Sequence, residues 1–305
     1  MEYLEKVITF TSGGKRLHGI LHYPHEVRKP PGGMINILCP GTKHRVGPHR
    51  LNVKLARHYV NLGYYCFRFD PSGIGDSEGH IEEGLISSIW SRLQLGLFAQ
   101  DTVAANKKIA ELIPANNITL LGLCGGAATA IHTASIDNLV GRVVSIDLPS
   151  RLSSFTDITY EDTITSKTYA DQLFGMYIKK IFNPAAWIKL FTLKTDYKAL
   201  MKVIRLKLLA SSSSSEEKHS QNFNKELFQA YKKYEDRGGK TLFIAAEKEH
   251  TTGEFEEEYL PLLLQEANKK DLWKYKMIKN SNHVYALPEW ENELKAEIDG
   301  WLHNQ

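Results

Sequence analysis

The chain has 305 residues, 42% hydrophobic and 24% charged, with a net charge of +3. That balance is the one of a soluble globular protein, long enough for one large domain or two ordinary ones. So small a charge gives no footing for nucleic acid, and no apolar run reaches the roughly 18 residues of a membrane-spanning helix.

In chain order, Val7–Phe10 and Leu17–Tyr23 read as two strands around the turn Ser12-Gly13-Gly14. The second alternates in character, which predicts one solvated face. Met34–Leu38 is a buried strand ending at Cys39-Pro40-Gly41. Leu51 to Leu62 has helical spacing, with Leu51, Leu55, Tyr59 and Leu62 on one face and Gly63 as its stop. Tyr64–Phe69 is a strand that runs into the Gly-rich segment Asp70–Ser77. A helix is expected from about Gly96 to Leu112, then strands at Ile118–Leu121 and Val143–Ile146, the latter ending at Asp147.

Residues 151–225 break the pattern. They offer only helical stretches, at Tyr169–Phe182, Ala185–Phe191 and Tyr197–Leu209, and end in the run Ser211–Ser215. Strand and helix then resume. A helix is expected at Glu226–Tyr234, a strand at Thr241–Ala246, a helix at Glu254–Ala267, a strand at Trp273–Ile278 and a closing helix at Trp290–Leu302. Eight strands, the last six alternating with helices, predict a mostly parallel sheet covered on both faces. The expected organisation is an α/β core of residues 1–150 and 226–305, with a helical cap of residues 151–225 inserted after the sixth strand.

The most informative stretch is Ile118–Ala130, ITLLGLCGGAATA. A short apolar strand is followed by Gly122-Leu123-Cys124-Gly125-Gly126 and then by small helix formers. A side chain at the tip of so sharp a turn sits on strained backbone. Its neighbours two residues away must be tiny for strand and helix to cross closely. The tip also stands at a helix N-terminus, where free N–H groups favour a thiolate and an oxyanion. The alternative is that Cys124 is a small buried hydrophobe. Cys39, Cys66 and Cys124 include no Cys-x-x-Cys pair, and an odd count suits a reducing compartment. The opening MEYLEKVITF lacks a signal peptide's basic region and apolar block, so a cytoplasmic location is expected.

Strand, G-x-C-x-G and helix resemble the nucleophile elbow of the α/β-hydrolases, with cysteine in place of serine. The Gly-rich segment at 67–79 and the loop Asn280-Ser281-Asn282-His283-Val284-Tyr285 extend the resemblance over nearly the whole chain. As a dinucleotide fingerprint, Gly73-x-Gly75 fails, because Glu78 occupies the third glycine position. It is closer to the D-x-R-G-x-G-x-S loop of α/β-hydrolases, with Ser72 replacing the arginine. Val46–Arg50 and Ala185–Leu190 are similar to stretches of the exosortase-associated hydrolases, many of which carry an elbow cysteine.

The resemblance implies that His283, past the last strand, is the base, and that Glu249 after the seventh strand is the acid, with Glu247 and Asp147 as alternatives. It places the oxyanion donors at the backbone N–H groups of Gly125 and Thr42. His44, His49 and Trp187 are the candidate substrate contacts. No metal or cofactor is implied. The expected activity is ester or thioester hydrolysis through a Cys acyl-enzyme. An acyltransferase or cyclase with the same intermediate, or a binding module with a silent site, are the alternatives. Lys179, Lys180, Lys189, Lys194, Lys198, Lys202, Arg205 and Lys207 face only Asp196 between 178 and 208. That basic run suits an anionic acyl carrier, either coenzyme A or a phosphopantetheine-bearing carrier protein.

Overall fold

The computed structural model describes residues 3–25, 33–81, 86–113, 117–152, 222–265 and 267–304. The chain divides into two units, residues 1–155 with 222–305, and residues 156–221. The second lies outside the described residues, and with it the expected cap helices, the basic run, Trp187 and the stretch 185–190.

The first unit is built on one eight-stranded sheet. Its strands are β1 (Leu4–Ser12), β2 (Lys15–Tyr23), β3 (Met34–Ile37), β4 (Tyr65–Asp70), β5 (Ile118–Leu123), β6 (Val140–Ile146), β7 (Lys240–Ala246) and β8 (Trp273–Ile278). Their order is β1-β2-β4-β3-β5-β6-β7-β8. The β1–β2 and β2–β4 pairs are antiparallel, and every pair from β4 to β8 is parallel. The central strands β3 and β5 are buried at every position, which is why they read as unbroken apolar runs rather than alternating ones. β1 is an edge strand and leaves most of its residues exposed.

The helices among the described residues are α1 (Leu51–Asn61), α2 (Ile86–Gln94), α3 (Ala99–Leu112), α4 (Gly125–Ala134), α5 (Lys225–Asp236), α6 (His250–Glu254), α7 (Leu260–Gln265) and α8 (Pro288–His303). Two apolar clusters cover the two faces of the sheet. Ile118 and Leu120 of β5 join residues of α3, α4 and α5 on one side. Leu121 and Leu123 join Leu51, Leu55 and Tyr59 of α1 and Leu294 and Ile298 of α8 on the other. Successive strand residues point to opposite faces, so one strand supplies both layers. α4 buries nine of its ten residues, Gly125–Ile131 with Thr133 and Ala134, most of them small.

Several boundaries depart from the pattern expected. Leu62 is 36% exposed rather than part of the buried face of α1, because the chain turns away at Gly63, whose φ is +90°. The helix before β5 starts at Ala99, after a turn at Gly96, and a separate α2 precedes it. The helix expected at 254–267 begins four residues earlier as α6, passes through a π-helical turn at Phe255–Tyr259 and ends as α7. Pro261 explains the interruption: it cannot donate to a carbonyl four residues back, and a wider turn ahead of it accommodates the missing bond.

The site follows from the strand order. β3 is followed in the chain by β4 on one side and β5 by β6 on the other, so the connections leaving β3 and β5 diverge from the gap between these two strands. In such sheets that gap, at the C-terminal strand ends, is where ligands sit. Pro40 and Gly41 follow β3 there, and Cys124 follows β5.

Candidate active site

Cys124 stands between β5 and α4 with φ 55° and ψ −119°, a conformation that costs a non-glycine residue of order 1–3 kcal/mol and is held only by surrounding packing. A Cβ at Gly122 would lie 2.2 Å from both the carbonyl carbon and oxygen of Gly126, and one at Gly126 would lie 2.8 Å from the Cys39 carbonyl oxygen. The elbow therefore closes only with glycine at both positions. Cys39 and Cys66 are buried, whereas Cys124 is partly exposed. Burial pushes both buried thiols well above the usual thiol range.

Strand register carries three further groups to the same end of the sheet. Leu123 pairs with Ile146, and Ile146 with Ile244. The next residue after β6, Asp147, thus lies beside Cys124 on one side and the end of β7 on the other. The Cys124 N–H donates to the Ile146 carbonyl at 2.9 Å, and the Asp147 N–H to that of Ile244 at 2.8 Å. Ala246 pairs with Ile278, which brings the loop of His283 alongside that of Glu249. The two sequence-distant carboxylates both reach the same imidazole nitrogen. His283 Nδ1 is 3.3 Å from Asp147 Oδ2 and 3.6 Å from Glu249 Oε2. With Nδ1 turned to the carboxylates, the ring interacts with the Cys124 thiol as a hydrogen-bond and charge partner.

The three titrating groups are shifted for different reasons. Burial works against a charged His283, but Asp147 and Cys124 outweigh it and raise the ring to about 11. Burial pushes the Asp147 carboxyl up, against the opposing pull of His283 and the Ala246 N–H. Burial also works upward on Glu249, but the His250 hydrogen bond and the nearby His283 charge overcome it and hold that carboxyl low. Asp147 is wholly buried, while Glu249 retains 13% side-chain exposure. Asp147 Oδ1 accepts from the Ala246 N–H at 2.7 Å and from the Tyr285 hydroxyl at 3.3 Å. Glu249 Oε1 is 2.6 Å from His250 Nδ1.

Glu247 sits elsewhere. Its oxygens accept from the Asn280 N–H at 2.7 Å and from Lys279 Nζ at 3.1 Å, so it anchors the loop that carries His283. That loop is also held by the Lys248 N–H on the Ser281 carbonyl at 2.9 Å and by His49, whose Nε2 lies 2.5 Å from the Val284 carbonyl oxygen. The loop's non-glycine residues Asn280 and Tyr285 have positive φ, 57° and 52°. His49 thus meets the His283 loop. His44 and Thr42, with Lys43, Gly47, Pro48, Ile74 and Gly75, line an open cleft of about 380 Å³.

At the expected oxyanion donors, a Cβ at Gly125 would lie 2.9 Å from Gly41 Cα. The N-terminus of α4 and the loop leading to Thr42 are therefore in contact. The indole of Trp90 packs over both glycines, within 2.8 Å of a Cβ position at Gly41 and 3.6 Å of one at Gly125. Trp90 was not among the candidates read from the sequence. The apolar spacing Ile86, Ile89, Trp90, Leu93 marks α2 as an amphipathic helix, but nothing in that spacing says what the helix faces. Among the described residues no cluster of three or more potential metal ligands occurs, and no helix is long and apolar enough to cross a membrane.

No protein-family model matches the chain, and no curated protein matches it. Solved structures do. It is similar to the Pyrococcus furiosus esterase Pf2001, with a TM-score of 0.58 and 15% identity over 99% of this chain and 91% of that one. It is also similar to the proline iminopeptidase of Mycobacterium smegmatis, with a TM-score of 0.59 and 14% identity over 98% of each chain. A third is Est1E from Butyrivibrio proteoclasticus, solved with ferulic acid bound, at a TM-score of 0.54 and 13% identity over 98% of each chain. The chain has the α/β-hydrolase fold.

Proposed function

We propose that the protein is an acyl hydrolase that cleaves esters or thioesters through an acyl-enzyme on Cys124. The observation that carries this reading is the convergence on His283 of the Cys124 thiol and two carboxylates, at the strand ends where this fold binds ligands. In this reading Asp147, the nearer and more deeply buried carboxylate, keeps His283 Nδ1 protonated, so that Nε2 can take the proton of the thiol.

The thiolate attacks the carbonyl carbon. A sulfur–carbon bond forms, and the carbonyl π pair moves to oxygen, where the N–H groups of Gly125 and Thr42 receive it. The pair returns, the bond to the leaving thiolate or alkoxide breaks, and that group takes the His283 proton. Water then attacks the acyl-enzyme while His283 accepts its proton. The carbon–sulfur bond breaks, the acid departs and the Cys124–His283 ion pair is restored. The cleft bordered by Thr42 and His44 adjoins the oxyanion donors and is the place for the leaving group or acyl chain.

The test is the intact mass of the protein after incubation with a panel of acyl thioesters and activated esters. A mass increase equal to one acyl group, lost on standing and missing in Cys124→Ala, is expected. A panel that leaves the mass unchanged and is not hydrolysed refutes the reading.

A further inference from the structure

His283 has more support than one acid provides, and the excess is organised. Glu249 does not simply lie near His283. One of its oxygens is 2.6 Å from His250 Nδ1 and the other 3.6 Å from His283 Nδ1, so a single carboxylate bridges two imidazoles. His250 is the first residue of α6 and 42% exposed on its side chain. The charges facing it are Glu249 beside it, Glu254 one turn on in α6 and His283 across from the loop after β8. Beyond Glu254, at 3.8 Å, is Arg151. The charges facing His283 are Cys124, Asp147 and Glu249.

We propose that Glu249 and His250 form a second support for His283, in which His250 holds one oxygen of Glu249 so that the other addresses His283 Nδ1, and the charge on His250 sets how strongly His283 keeps its proton. The catalytic meaning of this support rests on the acyl-transfer reading above, but the coupling itself does not. The physical argument is one of shared charge. With thiolate and imidazolium formed, Asp147, Glu249 and Cys124 carry three negative charges around one positive His283. A protonated His250 offsets part of that excess by occupying Glu249. When His250 is neutral, the full charge of Glu249 acts on His283 and stabilises its imidazolium. Hydrogen bonding to Glu249 favours the charged form of His250, in keeping with its upward shift. His250 touches neither thiol nor acyl group in this scheme, so it is a positioning residue.

The experiment is an NMR titration of the His283 ring in protein labelled at histidine, with the signal identified by its loss in His283→Gln. It is run on Cys124→Ser, where no thiolate holds the ring at high pH. Glu249→Gln is expected to lower the His283 pKa by about one pH unit. His250→Gln, which keeps a donor for Glu249 but removes the positive charge, should raise it by a few tenths. His250→Asn provides a second variant should glutamine disturb the start of α6. In the Glu249→Gln background, His250→Gln should shift the titration by less than half as much, because the bridge is already broken. A His283 titration unmoved by Glu249→Gln overturns the proposal. So does a His250→Gln shift of equal size with and without Glu249. No substrate enters the measurement, so the shifts can hold even where the thioester panel fails, and the two ideas fall separately.

Discussion

Asp147→Asn is the most incisive change to the proposed mechanism, because the structure dictates which way the new amide must face. Asp147 Oδ1 accepts from the Ala246 N–H and the Tyr285 hydroxyl. An asparagine must leave its carbonyl oxygen there, or two buried donors lose their acceptor at about 1–3 kcal/mol each. Its NH2 group is thereby aimed at His283 Nδ1. It donates where the carboxylate accepted, and stabilises the ring with its proton on Nε2, against the thiol. That is the wrong tautomer for a base. The lost charge adds to this: at 3.3 Å and an effective dielectric of about 20, the pair attracts by about 5 kcal/mol. With about 1.4 kcal/mol per decade of rate, the expected loss in kcat/KM is ~10³- to 10⁴-fold. Glu249→Gln removes a charge that is farther off, partly exposed and shared with His250. A loss of ~10-fold is expected there. The assay is kcat/KM on the best thioester from the panel, with thermal melts to show that both variants fold. An Asp147→Asn enzyme within tenfold of the parent, or one more active than Glu249→Gln, refutes the assignment and returns the role to Glu249.

Three further outcomes are expected. Gly122→Ala places a methyl against Gly126 backbone at 2.2 Å and should cost about 3 kcal/mol or more in denaturant unfolding, whereas Gly300→Ala, in α8 with open space around it, should gain up to about 1 kcal/mol; equal effects would mean that the elbow is not tightly packed. His22 is buried and its pKa is lowered to about 3, burial leading and the charges of Arg68 and Arg57 adding to it, so the unfolded chain takes up a proton that the folded one refuses. Stability should therefore fall as pH drops from about 6.5 towards 3, and His22→Gln, which keeps an acceptor for the Arg68 Nε–H, should flatten that slope by about one proton; an unchanged slope refutes the account. Finally, the Leu152 N–H donates to the Asn222 carbonyl at 2.8 Å, and Arg151 bridges Phe223 in antiparallel register, so replacing residues 153–221 by a two-residue Asn-Gly turn should leave a cooperatively folding core. A product that is insoluble or melts without a transition would show that the first unit cannot fold alone.

The sequence by itself determined the elements whose cause is local. Continuous apolar runs predicted β3, β5 and β7 because a strand covered on both faces has no polar side to show. The elbow was legible because its glycines answer a steric demand made within five residues, and the position of His283 after the last strand followed from the resemblance. Tertiary structure decided what depends on register between strands far apart in the chain. Asp147 and Glu249 are both loop carboxylates in sequence, separated by 102 positions, and nothing local ranks them. The pairing of Ile146 with Ile244, and of Ala246 with Ile278, sets Asp147 nearer to His283 and buries it. The same pairing turned Glu247 into an anchor for the His283 loop, and the packing of the loop ahead of α1 set His49 against Val284. α2 carried Trp90 to Gly41 and Gly125. Side-chain identity and spacing report which face of an element is buried, but which residues meet there is fixed only when the sheet closes its register and each face selects its partner.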